Sequence, residues 1–328
     1  MVFQCSNCGG TSVFDPERQK MYCPYCGSED SESVVPEKEM CSCPACGAPV
    51  QIGPYTSAGK CGSCGNYIIF DERINGPYEP HLILPFKFSK KQALAELEKE
   101  YNKRIFAPSD FIAESNLDKV EGMYVPFFMY DFHSNYEWSG RGNVVRTWTS
   151  GDTRYTETKV FHIERNIDVD FEKIPVDASI AMPDTTMDLL EPYDYQALEN
   201  FKAKYMSGFY GECYNMPAVD LMGRAKKKVE NDTESLLMGT VSGYSGVVGE
   251  NKNMLINNTQ TNYALLPVWV YSYQYAGQMY QFHVNGQTGK LIGKMPISKK
   301  KAVGYTLTVF GWVFTAVFLF FMIIGYIL

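Results

Sequence analysis

Apolar and polar residues in the middle of the chain follow the pattern of β-strands. Five stretches are rich in β-branched and aromatic residues and are separated by turn residues, namely 123–138, 141–150, 153–171, 263–275 and 278–293. This composition predicts strands. Ser150-Gly151-Asp152 connects two of them, and Asn285-Gly286 is the predicted turn of the last hairpin.

Helical spacing occurs between these strands. Residues 89–106 carry apolar side chains at three- and four-residue intervals after Ser89, a candidate N-cap. Residues 194–206 and 217–237 have the same periodicity, the latter with Pro217 at its start. Strands and helices in this mixed order predict an α+β body with a largely antiparallel sheet.

The last 27 residues, Ala302–Leu328, carry no charge. As a helix they extend about 40 Å, more than the roughly 30 Å hydrocarbon core of a bilayer requires. Lys299–Lys301 precede them, so the positive-inside tendency predicts a single-pass, tail-anchored protein of the cell membrane whose N-terminal bulk is cytoplasmic. A buried core helix is the alternative, but such helices rarely run this long without a polar face.

Near the N-terminus the chain repeats one cysteine frame, Cys-x2-Cys-x14-Cys-x2-Cys. Two Cys-x2-Cys turns, each followed by a glycine, can close a tetrahedral zinc site. A disulfide scaffold is the alternative, but no secretory signal precedes Cys5, so the thiols are expected to stay reduced. The frame predicts two zinc ions held by two ribbons, with the ligands Cys5, Cys8, Cys23 and Cys26 in the first and Cys43, Cys46, Cys61 and Cys64 in the second.

Two cysteines stand outside this frame. Cys41 lies two residues before Cys43 and is either a spare ligand or a bystander thiol, which the complete repeat favours. Cys213 is most simply interpreted as a buried, unreactive side chain.

Charge restricts what the ribbons can bind. Residues 1–80 contain five Lys or Arg and ten Asp or Glu, a balance of −5, and each four-thiolate zinc site adds a formal −2. Binding to a phosphate backbone requires clustered cations. The ribbons are therefore interpreted as structural or protein-interaction modules, with a membrane-tethered nucleic-acid factor as the alternative.

Motifs for catalysis are weak. The chain lacks the Gly-x4-Gly-Lys-[Ser/Thr] motif of a nucleotide motor, and the segment 286–291 that imitates it has the wrong spacing. Asp131 and His133 place a carboxylate and an imidazole on one face of a predicted strand. A solvent-facing strand edge explains that pair better, because no third partner lies at a recognisable spacing. A hydrolase is therefore the less favoured third hypothesis and no catalytic residue is predicted.

Several stretches resemble a known family. These are "GMYVPFFMYDF" (122–132), "VRTWTSGDTRYTETKVF" (145–161), "EPYDYQAL" (191–198), "YALLPVWV" (263–270) and "VNGQTGKLIGKMPISKKKA" (284–302). With the ribbons and the anchor, they resemble uncharacterised bacterial membrane proteins that carry tandem transcription-factor-IIB-type zinc ribbons and are sometimes labelled primosomal-helicase-like. The resemblance implies partners among SPFH-type scaffolds and phage-shock-type membrane stress proteins.

The predicted organisation has five parts. They are zinc ribbon 1 (1–30), a polar linker (31–40), zinc ribbon 2 (41–78), the α+β body (79–298), and a basic flank with the transmembrane helix (299–328). The predicted function is non-enzymatic: a membrane-anchored adaptor or scaffold in an envelope-maintenance or stress complex.

Overall fold

Short strands near the N-terminus are followed by very long strands in the body and a long helix at the end. The computed structural model describes residues 1–36 and 42–327, and side chains as far as residue 324. The cysteine-rich strands are β1 (Val2–Cys5), β2 (Val13–Asp15), β3 (Lys20–Tyr22), β4 (Glu32–Val35), β5 (Thr56–Lys60) and β6 (Tyr67–Ile69).

The body follows in the order β7 (Leu82–Ile83), α1 (Lys90–Asn102), α2 (Glu114–Leu117), β8 (Glu121–Ser150), β9 (Thr153–Asp177), α3 (Asp184–Leu190), β10 (Glu199–Asn200), β11 (Tyr210–Glu212), α4 (Ala218–Gly239), β12 (Gly246–Tyr275), β13 (Gln278–Asn285) and β14 (Leu291–Gly293). Helix α5 (Lys299–Ile327) comes last. Single-turn 3-10 helices lie at Asp71–Arg73, Gly76–Tyr78, Ser109–Ile112, Tyr195–Ala197 and Ala203–Met206.

Strand β8 is the centre of the sheet. It pairs antiparallel with β9 on one side and with β12 on the other, so that Phe128 faces Val176 and Tyr263. At 3.3–3.4 Å per residue, a strand of this length has a contour of about 100 Å. The two strands predicted at 123–138 and 141–150 are one continuous strand.

The sheet is mixed but largely antiparallel, as predicted. Ten strands belong to it, and its main path runs β10-β7-β12-β8-β11-β5-β6. Two pairings are parallel, β12 with β7 and β11 with β8. Strand β13 continues the sheet beside β12, and β14 pairs with β13. The predicted α+β class with two N-terminal cysteine groups and a terminal apolar helix is confirmed.

Both faces of the inner half of β8 are buried. Tyr124 and Tyr130 belong to the main core, against which α1 and α4 pack. Val125 and Phe127 point to a second core, which α3 covers through Met187 and Leu190. Burial on both faces explains the nearly continuous apolar run in this part of the strand.

The outer half of the long strands projects beyond these cores and forms an arm. A small apolar cluster beneath the end of α4 includes Trp138, Ile163 and Leu237. Further out, Trp148 and Tyr155 stack on each other at a centroid distance of 5.7 Å, yet both are more than two-fifths exposed. The arm therefore has little core of its own.

Helix predictions succeeded where a cap or a long apolar face supports them. Ser89 forms a capping box, since it accepts from the Gln92 amide while the Gln92 side chain accepts from the Ser89 amide. The third predicted helix is α4, which begins after Pro217. The helix predicted over 194–206 is wrong, because Glu199 and Asn200 pair with β7 and only isolated 3-10 turns flank them.

Residues 31–40 show a second difference from expectation. Their polar composition predicts a linker, but Glu32–Val35 form β4 and pair antiparallel with β1, from Val2 opposite Val35 to Cys5 opposite Glu32. Backbone pairing does not depend on side-chain polarity, so composition alone did not reveal it. Residues 37–41, including Cys41, lie outside the described residues.

Candidate metal centres

Each Cys-x2-Cys turn in the N-terminal region has the same backbone geometry. The amide of its first cysteine donates to the carbonyl five residues later, and the glycine amide four residues later donates back to that cysteine. In the turn at Cys5 these bonds are 2.7 Å to Gly10 and 2.8 Å from Gly9. The pattern recurs from Cys23, Cys43 and Cys61, so four copies of one local structure present the thiols.

A glycine with a left-handed backbone closes every turn. Its φ lies between +72° and +77° at Gly9, Gly27, Gly47 and Gly65. Side chains with a Cβ rarely adopt this conformation, so the sequence needs glycine directly after the second cysteine. The requirement is conformational, since an added Cβ would meet no atom within 4 Å at Gly9, Gly27 and Gly47.

Two turns together bring four sulfur atoms to one point. In each group the four Sγ atoms lie within 4.8 Å of one another. The pairs Cys5–Cys26 and Cys8–Cys23 are 3.6 and 3.5 Å apart, and Cys43–Cys64 and Cys46–Cys61 are 3.7 and 3.8 Å apart. Four sulfurs placed tetrahedrally at a Zn–S distance of about 2.3 Å would be about 3.8 Å apart. The groups could each hold a metal ion, and their size and chemistry fit zinc.

The two cysteine groups have the same pattern of buried and exposed residues. The first cysteine of each turn is buried and the second is exposed, so each metal position lies at the surface of its ribbon. Four thiolates complete a tetrahedral shell and leave no position for a substrate or a water molecule. Four cysteines in such an arrangement are typical of structural zinc sites.

The surroundings of two buried sulfurs, Cys5 and Cys61, favour the thiolate that a metal requires, whereas burial raises the pKa of the Cys43 thiol. Burial raises the pKa of the Cys5 thiol, but hydrogen bonds from the amides of Asn7 and Cys8 outweigh it and bring the pKa to about 6. At Cys61, burial is likewise outweighed by the amides of Cys64 and Ser63, and the pKa falls to about 7. A bound cation would stabilise the thiolates further.

Cys213 has no part in these groups. It is buried, and its Sγ lies 3.1 Å from the carbonyl oxygen of Arg73, to which it donates. Burial raises the pKa of this thiol to about 12, so it stays protonated and unreactive. The structure thus agrees with the interpretation of Cys213 as a packing residue.

Asp131 and His133 have separate partners. Asp131 lies at a bulge in β8, where its Oδ1 accepts a 2.7 Å hydrogen bond from the amide of Lys173. The His133 ring contacts Asp170 at 2.8 Å and Asp168 at 3.3 Å on the neighbouring strand. The hydrogen bond to Asp170 and the charge of Asp168 raise the pKa of His133. Asp131 has a structural role at the bulge, while His133 lies on the open face of the sheet.

Helix α5 has the composition and exposure of a membrane span. Its segment Lys299–Ile324 is long and apolar enough to cross a bilayer, and its residues from Val303 to Ile324 are exposed. The hydroxyls of Thr306, Thr308 and Thr315 each donate to the carbonyl four residues earlier, so they do not need water. The described chain therefore has one exposed apolar helix that could be a single span.

A comparison with known proteins found a relative that matches almost the whole chain. The sequence is 35% identical over 335 residues to a protein of Bacillus subtilis (strain 168) named "Uncharacterized protein YdjG", and the match covers 98% of each chain. No family model and no solved structure matches the sequence. The match extends over almost the whole of both chains, and it shows that this chain belongs to the family of the Bacillus subtilis protein YdjG.

Proposed function

We propose that this protein is a membrane-anchored scaffold on the cytoplasmic face, in which two zinc ions have a structural role. The observation that carries the proposal is the attachment of both cysteine groups to the body. Strand β5 of ribbon 2 pairs with β11, and the Phe14 amide of ribbon 1 donates to the Ser207 carbonyl. Metal binding therefore orders surfaces of a larger folded unit.

The metal shells support a non-catalytic role. A catalytic zinc site keeps one position open, whereas each group here supplies four thiolates. The ribbon region has a net charge of −5 before metal is counted, which disfavours a phosphate backbone as partner. Proteins are the partner class that these features favour.

The direction of insertion follows from the basic residues at the start of α5. Lys299–Lys301 directly precede the apolar segment. Basic flanks tend to stay in the cytoplasm, so the body and both ribbons face the cytoplasm in this proposal. By family resemblance, the partners we propose are SPFH-type or phage-shock-type membrane proteins.

Affinity purification of the full-length protein from its own cells in mild detergent tests the proposal. We expect membrane-associated proteins of these two types to copurify in comparable molar amounts. The matched control is Cys23→Ser, which opens one metal shell and should reduce copurification if ribbon 1 forms part of the contact. Recovery of nucleic acid with the wild-type chain, or turnover of a small-molecule substrate by it, would contradict the proposal.

A further inference from the structure

A groove at the start of α5 combines basic and apolar side chains. Its volume is about 510 Å³, and two loops line it, residues 103–107 after α1 and residues 293–297 after β14. Ile105 and Ile297 are 69% and 65% exposed and line this groove together. Lys103, Arg104 and Lys294 also line the groove. We call this feature the basal groove.

Several contacts fix the basal groove against the first turns of α5. The amide of Ser298 donates to the Phe106 carbonyl at 2.7 Å, and Lys301 Nζ donates to the Ala107 carbonyl at 2.7 Å. The rings of Phe106 and Tyr305 pack edge to face at 5.5 Å. The loop is therefore held beside the helix.

These contacts determine the depth of the loop in a membrane. Tyr305 lies six residues after the first residue of α5, about 9 Å along the axis. The headgroup layer on one side of a bilayer is roughly 5–8 Å thick. When Lys299–Lys301 reach the headgroups, the Phe106 ring beside Tyr305 lies near the boundary with the acyl chains.

The charge of this region selects the kind of lipid. Six cations lie in the two loops and the first turn of α5, namely Lys103, Arg104, Lys294, Lys299, Lys300 and Lys301. The carboxylate of Glu100 pairs with two of them, Lys103 at 3.1 Å and Arg104 at 2.9 Å. Lys294, Lys299 and Lys300 have no ion pair among the described residues. A positive surplus therefore faces the headgroup layer.

We propose that the basal groove binds the headgroup of an acidic phospholipid, with Lys103, Arg104 and Lys294 around the phosphate and Ile105 and Ile297 against the glycerol and first acyl carbons. The proposal rests on α5 spanning a membrane, as proposed above. A soluble phosphate compound would leave the two isoleucines in water, so the apolar part of the groove favours a lipid. Juxtamembrane cations each strengthen binding to an acidic surface by about fivefold.

Native mass spectrometry of the full-length protein with added lipids tests this site. The protein is given equal amounts of phosphatidylglycerol and phosphatidylcholine with the same acyl chains, and bound copies of each are counted. We expect the wild-type chain to retain phosphatidylglycerol at least about fivefold over phosphatidylcholine. The triple variant Lys103→Gln/Arg104→Gln/Lys294→Gln should lose most of this preference while its zinc content stays unchanged.

Two control variants separate the headgroup site from general electrostatics. Lys159→Gln/Lys226→Gln/Lys227→Gln removes the same charge from the arm and from α4, away from α5, and should keep the preference. Ile105→Gln/Ile297→Gln should lower the retention of both lipids but keep their ratio. No preference in the wild-type chain, or an equal loss in both triple variants, would overturn the proposal.

Two further outcomes distinguish this site from its alternatives. Glycerol 3-phosphate, added in excess, should displace less bound phosphatidylglycerol than added unbound phosphatidylglycerol does. Equal displacement by the two competitors would show that the groove is a site for soluble phosphate compounds and that the proposal is wrong. Failure of the wild-type chain to enter vesicles would contradict the membrane anchor itself. Normal insertion without lipid preference would contradict only the basal groove.

Discussion

Ribbon 1 (residues 1–35) and ribbon 2 (residues 42–70) share one cysteine frame but are attached to the body in different ways. The strands of ribbon 1 form two separate two-stranded sheets, β1 with β4 and β2 with β3. This ribbon lies on the body through Phe14 and Ser207 and through the Gln19 side chain, which donates to the Phe86 carbonyl. It is docked on the body through side chains that belong to the main core, namely Phe3, Phe14 and Met21.

Ribbon 2 is part of the sheet. Its hairpin β5–β6 forms one end of the ten-stranded sheet, because β5 pairs with β11 at Ala58 and Thr56. Cys61 follows β5 directly, so the metal position and the sheet edge are covalent neighbours. The same frame therefore orders a docked module in one copy and a strand of the body in the other.

Opening one metal shell in each ribbon should produce the largest effect. Cys23→Ser and Cys61→Ser are matched, since both cysteines are buried and occupy the same place in the frame. Each variant should lose about one zinc ion, because three thiolates no longer form a closed shell. We expect Cys61→Ser to lower the melting temperature of the body more than Cys23→Ser. Equal shifts in calorimetry would contradict the difference between the ribbons.

The docking of ribbon 1 can be weakened with its metal shell intact. Phe14 is 2% exposed and packs edge to face on Tyr205 at a centroid distance of 5.0 Å. Phe14→Ala should reduce stability by about 3–5 kcal/mol, the usual range for a buried phenylalanine. Hydrogen exchange should rise in β2 and β3 but not in β5. Tyr25→Ala, at a ring that is 74% exposed, is the control and should change stability by less than about 0.5 kcal/mol.

Acid should affect the body through His283, independently of the ribbons. This side chain in β13 is 2% exposed, and neither ring nitrogen has a hydrogen-bond partner among the described residues. Burial lowers its pKa from 6.5 to about 4. As the pH falls, His283 is therefore protonated in the unfolded chain before it is protonated in the folded chain. The contribution of the neutral ring to the free energy of unfolding is complete above pH 6.5. It is lost as the pH falls toward 4, by at most about 3 kcal/mol.

His283→Leu removes this contribution. Urea unfolding at pH 7 and pH 5.5 should show a smaller loss of stability in the variant than in the wild-type chain. Release of zinc by protonation of the thiolates affects both chains and cancels in the comparison. Identical pH dependence in the two chains would show that His283 is not the group responsible.

One glycine of the body lies against each ribbon and allows a close approach: Gly211 at ribbon 2 and Gly208 at ribbon 1. A Cβ at Gly211 in β11 would lie 2.6 Å from both Met206 Cε and Ser57 Oγ, and a Cβ at Gly208, where φ is +96°, would lie 3.0 Å from Val13 Cβ. Gly211→Ala and Gly208→Ala should each reduce stability by about 1–3 kcal/mol. Hydrogen exchange should increase in ribbon 2 for the first and in ribbon 1 for the second. Gly62→Ala has open space around it and should be neutral.

Removing one side-chain hydrogen bond between the ribbons should have the smallest effect. Thr11 Oγ1 donates to Asn66 Oδ1 at 2.6 Å. Thr11→Val keeps the shape of the side chain and removes the donor, so we expect a loss of about 1 kcal/mol. Asn66→Ala combined with Thr11→Val should show a coupling of similar size in a double-mutant cycle. Strict additivity would mean that the bond does not connect the ribbons in solution.

The elements that the sequence predicted well are specified locally. Four identical turns need only two cysteines and a glycine each, so spacing alone indicated the sulfur groups. The capping box at Ser89 and the uncharged segment of α5 are equally local signals. The strand at 123–138 was also predicted, because that stretch is rich in β-branched and aromatic residues.

Elements defined by distant pairing were missed. The first half of β12, residues 246–262, is rich in Gly and Asn and has low intrinsic strand propensity, but it pairs with β8 from Gly246 opposite Asn143 onward. Residues 194–206 have helical periodicity, yet Asn200 pairs with Leu82 of β7. Attachment of β5 to β11 left no signal in the spacing of cysteines. Long-range backbone pairing overrode local preference in the first two cases.

The metal content of the purified full-length protein tests the central claim most directly. If both cysteine groups are closed structural sites, inductively coupled plasma analysis of protein prepared without chelators should find two zinc ions per chain. That value should fall to about one in both Cys23→Ser and Cys61→Ser. Iron in place of zinc, or less than one zinc ion in the wild-type chain, would contradict the account.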